Sequence, residues 1–192
     1  MQANARHRSL PRPVTGVLLA GSLSKPIWGG LRVGWIRADA QTVRRLAIAR
    51  SSQDVGSPVL DQLLAVQVIG RLDELLPDRR ALLRERGDVL LGALARHRPR
   101  WQTLPPAGGM FVWTELPPGV SASALANRAA ELGVRVAAGP RFGPNGGFER
   151  RIRLPFTQPP VQLTEAVRRL AIAEDQLRPR NADAGLPTTW VT

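Results

Sequence analysis

The 192-residue chain has no cysteine and no tyrosine, and Lys25 is the single lysine among its 27 basic residues. Without cysteine there is neither a disulfide framework nor a thiolate metal site. Tryptophan is the commonest aromatic, and without tyrosine the chain lacks the stacking pattern of a nucleic-acid platform. No apolar stretch approaches the roughly twenty residues a membrane-spanning helix needs. The run at 17–20 is too short for the core of a signal peptide. A soluble, intracellular and cytoplasmic protein is the expectation. Acidic residues are also scarce, 15 against 27 basic ones, which leaves a formal charge of +12. Such a balance permits a polyanionic partner. The arginines, however, are spread along the chain and cluster only at 96–100 and 150–153, as a solvated surface would have them.

What is present is a globular composition, 43% hydrophobic and 22% charged. Residues 1–13 are polar and proline-interrupted and read as disordered. Residues 14–20 and 31–36 read as strands flanking a Gly/Ser-rich loop at 21–30. Residues 39–50 fit a helix with Val43, Leu46 and Ala47 on one face. After a linker at 51–56, Ser57 and Pro58 supply an N-cap and a first-turn proline. Leu60, Leu63, Leu64 and Val68 then follow at helical spacing. A longer helix runs from about 77 to 97, with Leu83, Leu90 and Leu94 in register and His97 at its end. Strands at 101–104 and 110–115 flank a Pro-Pro-Ala-Gly-Gly turn. Ser121 caps a helix carrying Leu125, Ala129 and Leu132, which Gly133 ends. Strands at 134–137 and 152–156 surround a loop at 139–147. Pro159-Pro160 opens a last helix with Leu163, Val167 and Leu170 inward, and residues 177–192 form a tail. From Arg100 onward helices and strands alternate, which predicts a compact α/β or α+β unit.

The lone lysine invites a chemical question. Arginine stays protonated and cannot form an imine, whereas lysine can lose its proton and attack a carbonyl carbon. Its setting is Gly21-Ser22-Leu23-Ser24-Lys25-Pro26-Ile27-Trp28-Gly29-Gly30-Leu31-Arg32-Val33-Gly34-Trp35. That segment resembles the cofactor-lysine segment of class I/II aminotransferases, the large pyridoxal-phosphate family. It is most similar to the aminotransferase-like domains of MocR-type (GntR-family) bacterial regulators. Three further patterns follow in the family's order. Pro106 to Trp113 resembles the Gly-Gly-Met-Phe strand of the small domain. Residues 133–139 with Phe142 resemble the next strand and loop, and 151–156 the segment bearing the substrate-carboxylate arginine. The similarity covers about residues 14–177.

The resemblance implies roles residue by residue. Lys25 matches the lysine whose amine forms a Schiff base with pyridoxal 5'-phosphate and, once freed, moves a proton. A nearby cation and partial burial are expected to tune it. Ser22 and Arg32 match the phosphate contacts, and Ser24 adds a hydroxyl. Arg153 matches the arginine that pairs with the α-carboxylate of an amino acid. Plainer roles stand beside these: Ser22 and Ser24 as turn residues, Arg32 as a surface strand residue, Arg153 as one of several solvated strand arginines.

The fold implied is α/β, the C-terminal part of a fold type I transferase. A remnant of the large-domain sheet spans 14–56, connecting helices 57–100 and a complete α+β small domain 101–178, with a tail at 179–192. The family's upstream cofactor contacts fall on a segment outside this sequence, since no acidic residue precedes Asp39. The chain therefore reads as the C-terminal half of a longer protein, with apolar strand edges left uncovered. By resemblance the full-length protein is a homodimer acting on an amino acid and a 2-oxo acid. The alternative is the amine-sensing domain of a MocR-type regulator, which would touch DNA only through a domain absent here.

Overall fold

The computed structural model describes residues 16–54 and 56–177. The expectations for 1–13, for Val14 and for 179–192 lie outside the described residues. The chain divides into two compact units, Met1–Pro77 and Asp78–Thr192.

The first unit opens with an antiparallel pair, β1 (Leu19–Ser22) and β2 (Gly34–Arg37), in the register Leu19↔Arg37 to Ser22↔Gly34. Both strands are displaced from the expected spans. Leu31 is drawn out of the second strand into a 3₁₀ turn, Gly29–Leu31, where it is buried with Leu23 and Ala65. Gly21 faces Trp35 across the pair, and a Cβ there would lie 2.2 Å from the indole, so glycine is required by the close approach. Helix α1 (Ala40–Arg50) starts as read, with Asp39 Oδ1 accepting from the Thr42 amide at 2.9 Å. Helix α2 (Val59–Gly70) has Pro58, not Ser57, at its N-cap. Ser57 Oγ accepts instead from Arg50 Nη2 at 2.9 Å, which removes it from capping. The apolar faces read into these helices are not buried. No residue of α1 is buried, and in α2 only Ala65 is, while Leu60 remains 79% exposed.

The 26-residue helix α3 (Leu72–His97) carries the division between the units. It begins five residues before the expected start, with Pro77 inside it. Pro77 is its sixth residue, past the first-turn amides that need no partner, so it forgoes one intrahelical hydrogen bond, and Asp73 and Glu74 favour the first turn electrostatically.

The second unit contains an antiparallel sheet, β3 (Gln102–Thr103), β4 (Phe111–Glu115), β5 (Ala137–Ala138) and β6 (Arg151–Pro155), in the order β3-β4-β6-β5. Helices α4 (Ala122–Glu131) and α5 (Pro160–Leu177) complete it. Both central strands alternate as period-two patterning requires. Val112, Thr114, Ile152 and Leu154 are buried. The hydrophobic ones pack with Leu90 and Leu94 of α3, Leu125 of α4, and Leu163, Val167 and Leu170 of α5. The strand read at 134–137 shortens to two residues, because Val134 N donates to Ala129 O in the closing turn of α4 rather than to the sheet.

Two polar devices lock this unit. Ser121 caps α4, its Oγ accepting from Ala124 N at 3.0 Å. Glu149 reaches the same helix start, accepting from the Ser121 hydroxyl, Ser123 N (3.1 Å) and Ser123 Oγ (2.9 Å). The Ser121 hydroxyl above all, then the Ser123 groups, hold the Glu149 carboxyl below its ordinary range. At the far end Glu174 is buried. Its Oε2 accepts from Trp101 Nε1 at 2.8 Å and pairs with Arg98 Nε at 3.0 Å, tying α5 to the end of α3.

Candidate active site

The lysine segment is held by its base. Leu23 N donates to Val33 O at 3.1 Å, which extends the β1–β2 ladder by one bond. Ile27 N donates back to Leu23 O at 3.0 Å and closes a single turn. Lys25 stands in the middle of that turn and is exposed, so the partial burial expected of it is not what the structure shows. The reason lies in the neighbours: Leu23 points into the small core, and Lys25, two residues on, faces the other way.

Ser22 and Ser24 lie together beside it. Ser22 Oγ is 3.0 Å from Ser24 Oγ and 3.3 Å from Val33 O, two acceptors for one proton. Ser24 N donates to Ser22 Oγ at 3.1 Å. This is the turn chemistry that serines satisfy routinely, and it leaves the Ser22 hydroxyl at the exposed side of the loop. Arg32 is not on a strand, contrary to the plainer reading. It closes the 3₁₀ turn in the left-handed region, φ 51° and ψ 21°, with its side chain exposed. Such a conformation costs a non-glycine residue about 1 kcal/mol or more, and it concentrates at functional loops. Nothing in the sequence announced it, since the usual marker of this conformation is glycine or asparagine.

Ser22, Ser24, Lys25 and Arg32 thus share one loop of the first unit: one primary amine, two hydroxyls and one guanidinium. That donor set suits a small molecule bearing both an aldehyde and a phosphate. Gly30 leaves room where a Cβ would lie 2.3 Å from the Trp28 indole, so the loop follows a path that a larger residue would block.

Arg153 belongs to the second unit, on the face of β6 opposite the core. The three neighbouring arginines of this segment differ sharply in their commitments. Arg150 and Arg151 both pair with Glu115, the latter at 2.6 Å. Among the described residues no ion pair involves Arg153. Its guanidinium carbon instead sits 3.5 Å from the centre of the Phe111 ring and 5.2 Å from that of Phe142. Period-two alternation puts Arg151 and Arg153 on one face of β6 and does not separate them. Glu115 separates them, and it does so through the register Glu115↔Arg151, a pairing between strands far apart in the chain.

Among the described residues no helix is long and apolar enough to cross a membrane.

The model of the family "Aminotransferase class I and II" matches residues 2–170. The 2-aminoadipate transaminase of Thermus thermophilus is 38% identical over 161 residues, which cover 82% of this chain and 41% of that protein. An uncharacterized HTH-type transcriptional regulator of Bacillus subtilis, YdfD, is 32% identical over 134 residues, 68% of this chain and 28% of its own length. Among solved structures, the α-aminoadipate aminotransferase LysN of Thermus thermophilus, complexed with N-(5'-phosphopyridoxyl)-L-leucine, superposes with a TM-score of 0.79. It is 36% identical, and the match covers 84% of this chain and 42% of that one. The chain therefore spans about two fifths of the length of the first enzyme it matches. Its α/β fold is that of the fold type I aminotransferases, and the chain belongs to the class I and II aminotransferase family.

Proposed function

We propose that this chain carries the cofactor lysine and the carboxylate arginine of a pyridoxal-phosphate-dependent aminotransferase, exchanging amino groups between an amino acid and a 2-oxo acid. In this reading the lysine loop and β1–β2 are the end of a large-domain sheet. Residues 57–100 connect it to a small domain at 101–178, and the full-length protein is a homodimer. The observation that carries the reading is the presence of Ser22, Ser24, Lys25 and Arg32 in one exposed loop, in a chain that has no other lysine.

When bound, the cofactor supplies an aldehyde carbon for an amine and a ring that spreads the electron pair left at an amino acid's α-carbon. The chain's own residues do the rest. Lys25 Nζ holds the aldehyde end and, when free, takes a proton from the α-carbon and returns it. Arg32, with Ser22 and Ser24, holds the phosphate through charge-assisted hydrogen bonds. Arg153, not engaged by a carboxylate of its own chain among the described residues, receives the carboxylate of the amino acid.

The similarity to YdfD supports a second reading, in which the same loop binds the cofactor or an amine and shifts the state of a DNA-binding domain outside this sequence. Both readings place the cofactor on Lys25. Incubating the chain with pyridoxal phosphate, reducing with borohydride and mapping the added mass tests this directly, because the only other amine is the chain's α-amino group. Mass at Lys25, lost in Lys25→Ala, is expected. Equal labelling of Lys25→Ala would overturn the assignment. Half-reaction with an amino acid, followed by absorbance, then separates turnover from sensing.

A further inference from the structure

We propose that an aromatic cluster, Phe111, Trp113, Phe142 and Phe148, positions Arg153 and keeps its guanidinium ready for a carboxylate. The inference rests on the reading of Arg153 as the substrate-carboxylate anchor, and it assigns residues that act through Arg153 rather than on substrate.

Three of the chain's four phenylalanines stand in this cluster. They are not core residues. The core side of the sheet is filled by Val112, Ile152 and Leu154, whereas Phe142 is 45% exposed and Phe148 51% exposed. Their arrangement is a chain of specific contacts. Phe111 and Phe142 meet the Arg153 guanidinium at 3.5 and 5.2 Å. Phe142 meets Trp113 edge-on at 5.6 Å, and Trp113 meets Phe148 edge-on at 5.9 Å. Trp113 lies directly opposite Arg153 in the β4–β6 register.

The backbone is bent to bring Phe148 there. Phe148 has φ 66°, a left-handed conformation unusual for a bulky residue. Gly139 and Gly143 make room for it: a Cβ on Gly139 would lie 2.1 Å from Phe148 O, and one on Gly143 would lie 2.7 Å from its ring. Strain of this kind persists only where the surroundings enforce it, and here its product is an aromatic wall rather than a filled core.

The physical consequence follows from how a ring binds a cation. The attraction runs through the ring's quadrupole to the guanidinium as a whole, so it consumes none of the five N–H donors. A carboxylate partner of its own chain would take up donors and offset the charge, as Glu115 does through one Nη2 each of Arg150 and Arg151. Arg153 is thus fixed in place without being neutralised, and the apolar surroundings strengthen the charge-assisted bond it can still make.

The test uses the 192-residue chain labelled with ¹⁵N. The Arg153 Nε–Hε resonance is identified by its absence in Arg153→Gln, and sodium acetate is titrated against sodium chloride at matched ionic strength. The expected result is a ring-shifted resonance that moves with acetate in the wild type and in Phe142→Tyr. In Phe142→Leu the ring shift falls and acetate binds about fivefold more weakly, the scale of one exposed cation–π contact. Phe142 is partly exposed, so its leucine variant is expected to fold, and Phe111→Leu repeats the test from the other ring. Unchanged acetate binding in both leucine variants, with binding lost in Arg153→Gln, overturns the positioning role alone. Unchanged binding in Arg153→Gln overturns the reading of Arg153 itself.

Discussion

The two units use the same kinds of element and differ in what their apolar faces meet. In the second, α4 and α5 set Leu125, Leu163, Val167 and Leu170 against the sheet, and all are buried. In the first, α1 buries nothing and α2 leaves Leu60, Leu63, Leu64 and Ile69 exposed. The sheet residues Leu19, Trp35 and Ile36 are exposed as well. The amphipathic pattern was equally visible in both regions. It marks a face that needs cover, and says nothing about whether the cover comes from the same stretch of chain. The polar bonds divide the same way. The second unit has a buried carboxylate shared by Trp101 and Arg98, and the first unit's ion pairs, such as Arg50–Asp54, are exposed.

That contrast can be broken or sharpened by substitution. Glu174→Ala should have the largest effect. It leaves Trp101 Nε1 without its acceptor and Arg98 without its buried counter-charge, and loss of one buried partner costs about 3–5 kcal/mol. Asp175 still takes Arg98 Nη2, which favours the lower end. Urea unfolding followed by tryptophan emission measures it, and a loss below about 1 kcal/mol would show that this end of the unit is not locked. Next, Leu125→Ala empties a fully buried site on α4 and should cost about 2–5 kcal/mol in the same assay.

A smaller effect is tied to pH. The folded state holds the Glu149 carboxyl below its ordinary value of 4.5. Its contribution is therefore complete above that value and is lost as pH falls below it through the folded value. Glu149→Gln cannot titrate. The difference in urea midpoint between wild type and this variant should be greatest near pH 7 and shrink toward pH 3. A difference that grows on acidification would reverse the sign of the argument. The smallest effect belongs to the first unit. Leu60→Ala, the same chemistry as Leu125→Ala at an exposed site, should change stability by no more than about 0.5 kcal/mol. A cost comparable to that of Leu125→Ala would mean that α2 is covered in solution, and the contrast between the units would fail.

The candidate loop was legible because its signals are local. Lys25, Ser22, Ser24 and Arg32 lie within eleven consecutive positions, and two of them take part in hydrogen bonds closed within that stretch. The Ser121 cap was equally plain, a side chain that reaches an amide three residues on. The displaced strand at 31–36 was not legible, because the burial of Leu31 beside Leu23 and Ala65 depends on residues up to 42 positions apart in the chain. Ser57 was misassigned for a similar reason: Arg50 competes for its hydroxyl, and only the turn between α1 and α2 brings them together.

By itself the sequence determined which residues alternate toward a core, where α4 and α5 begin, and which amine and guanidinium share a loop, since these depend on spacings of two to eleven residues. Tertiary structure alone decided that Glu115 takes Arg150 and Arg151 while aromatic rings take Arg153, and that Glu174 closes the end of the second unit. Those outcomes depend on strand register and helix docking, which bring together groups between 35 and 76 positions apart, and no local pattern encodes which of several identical side chains will find a partner.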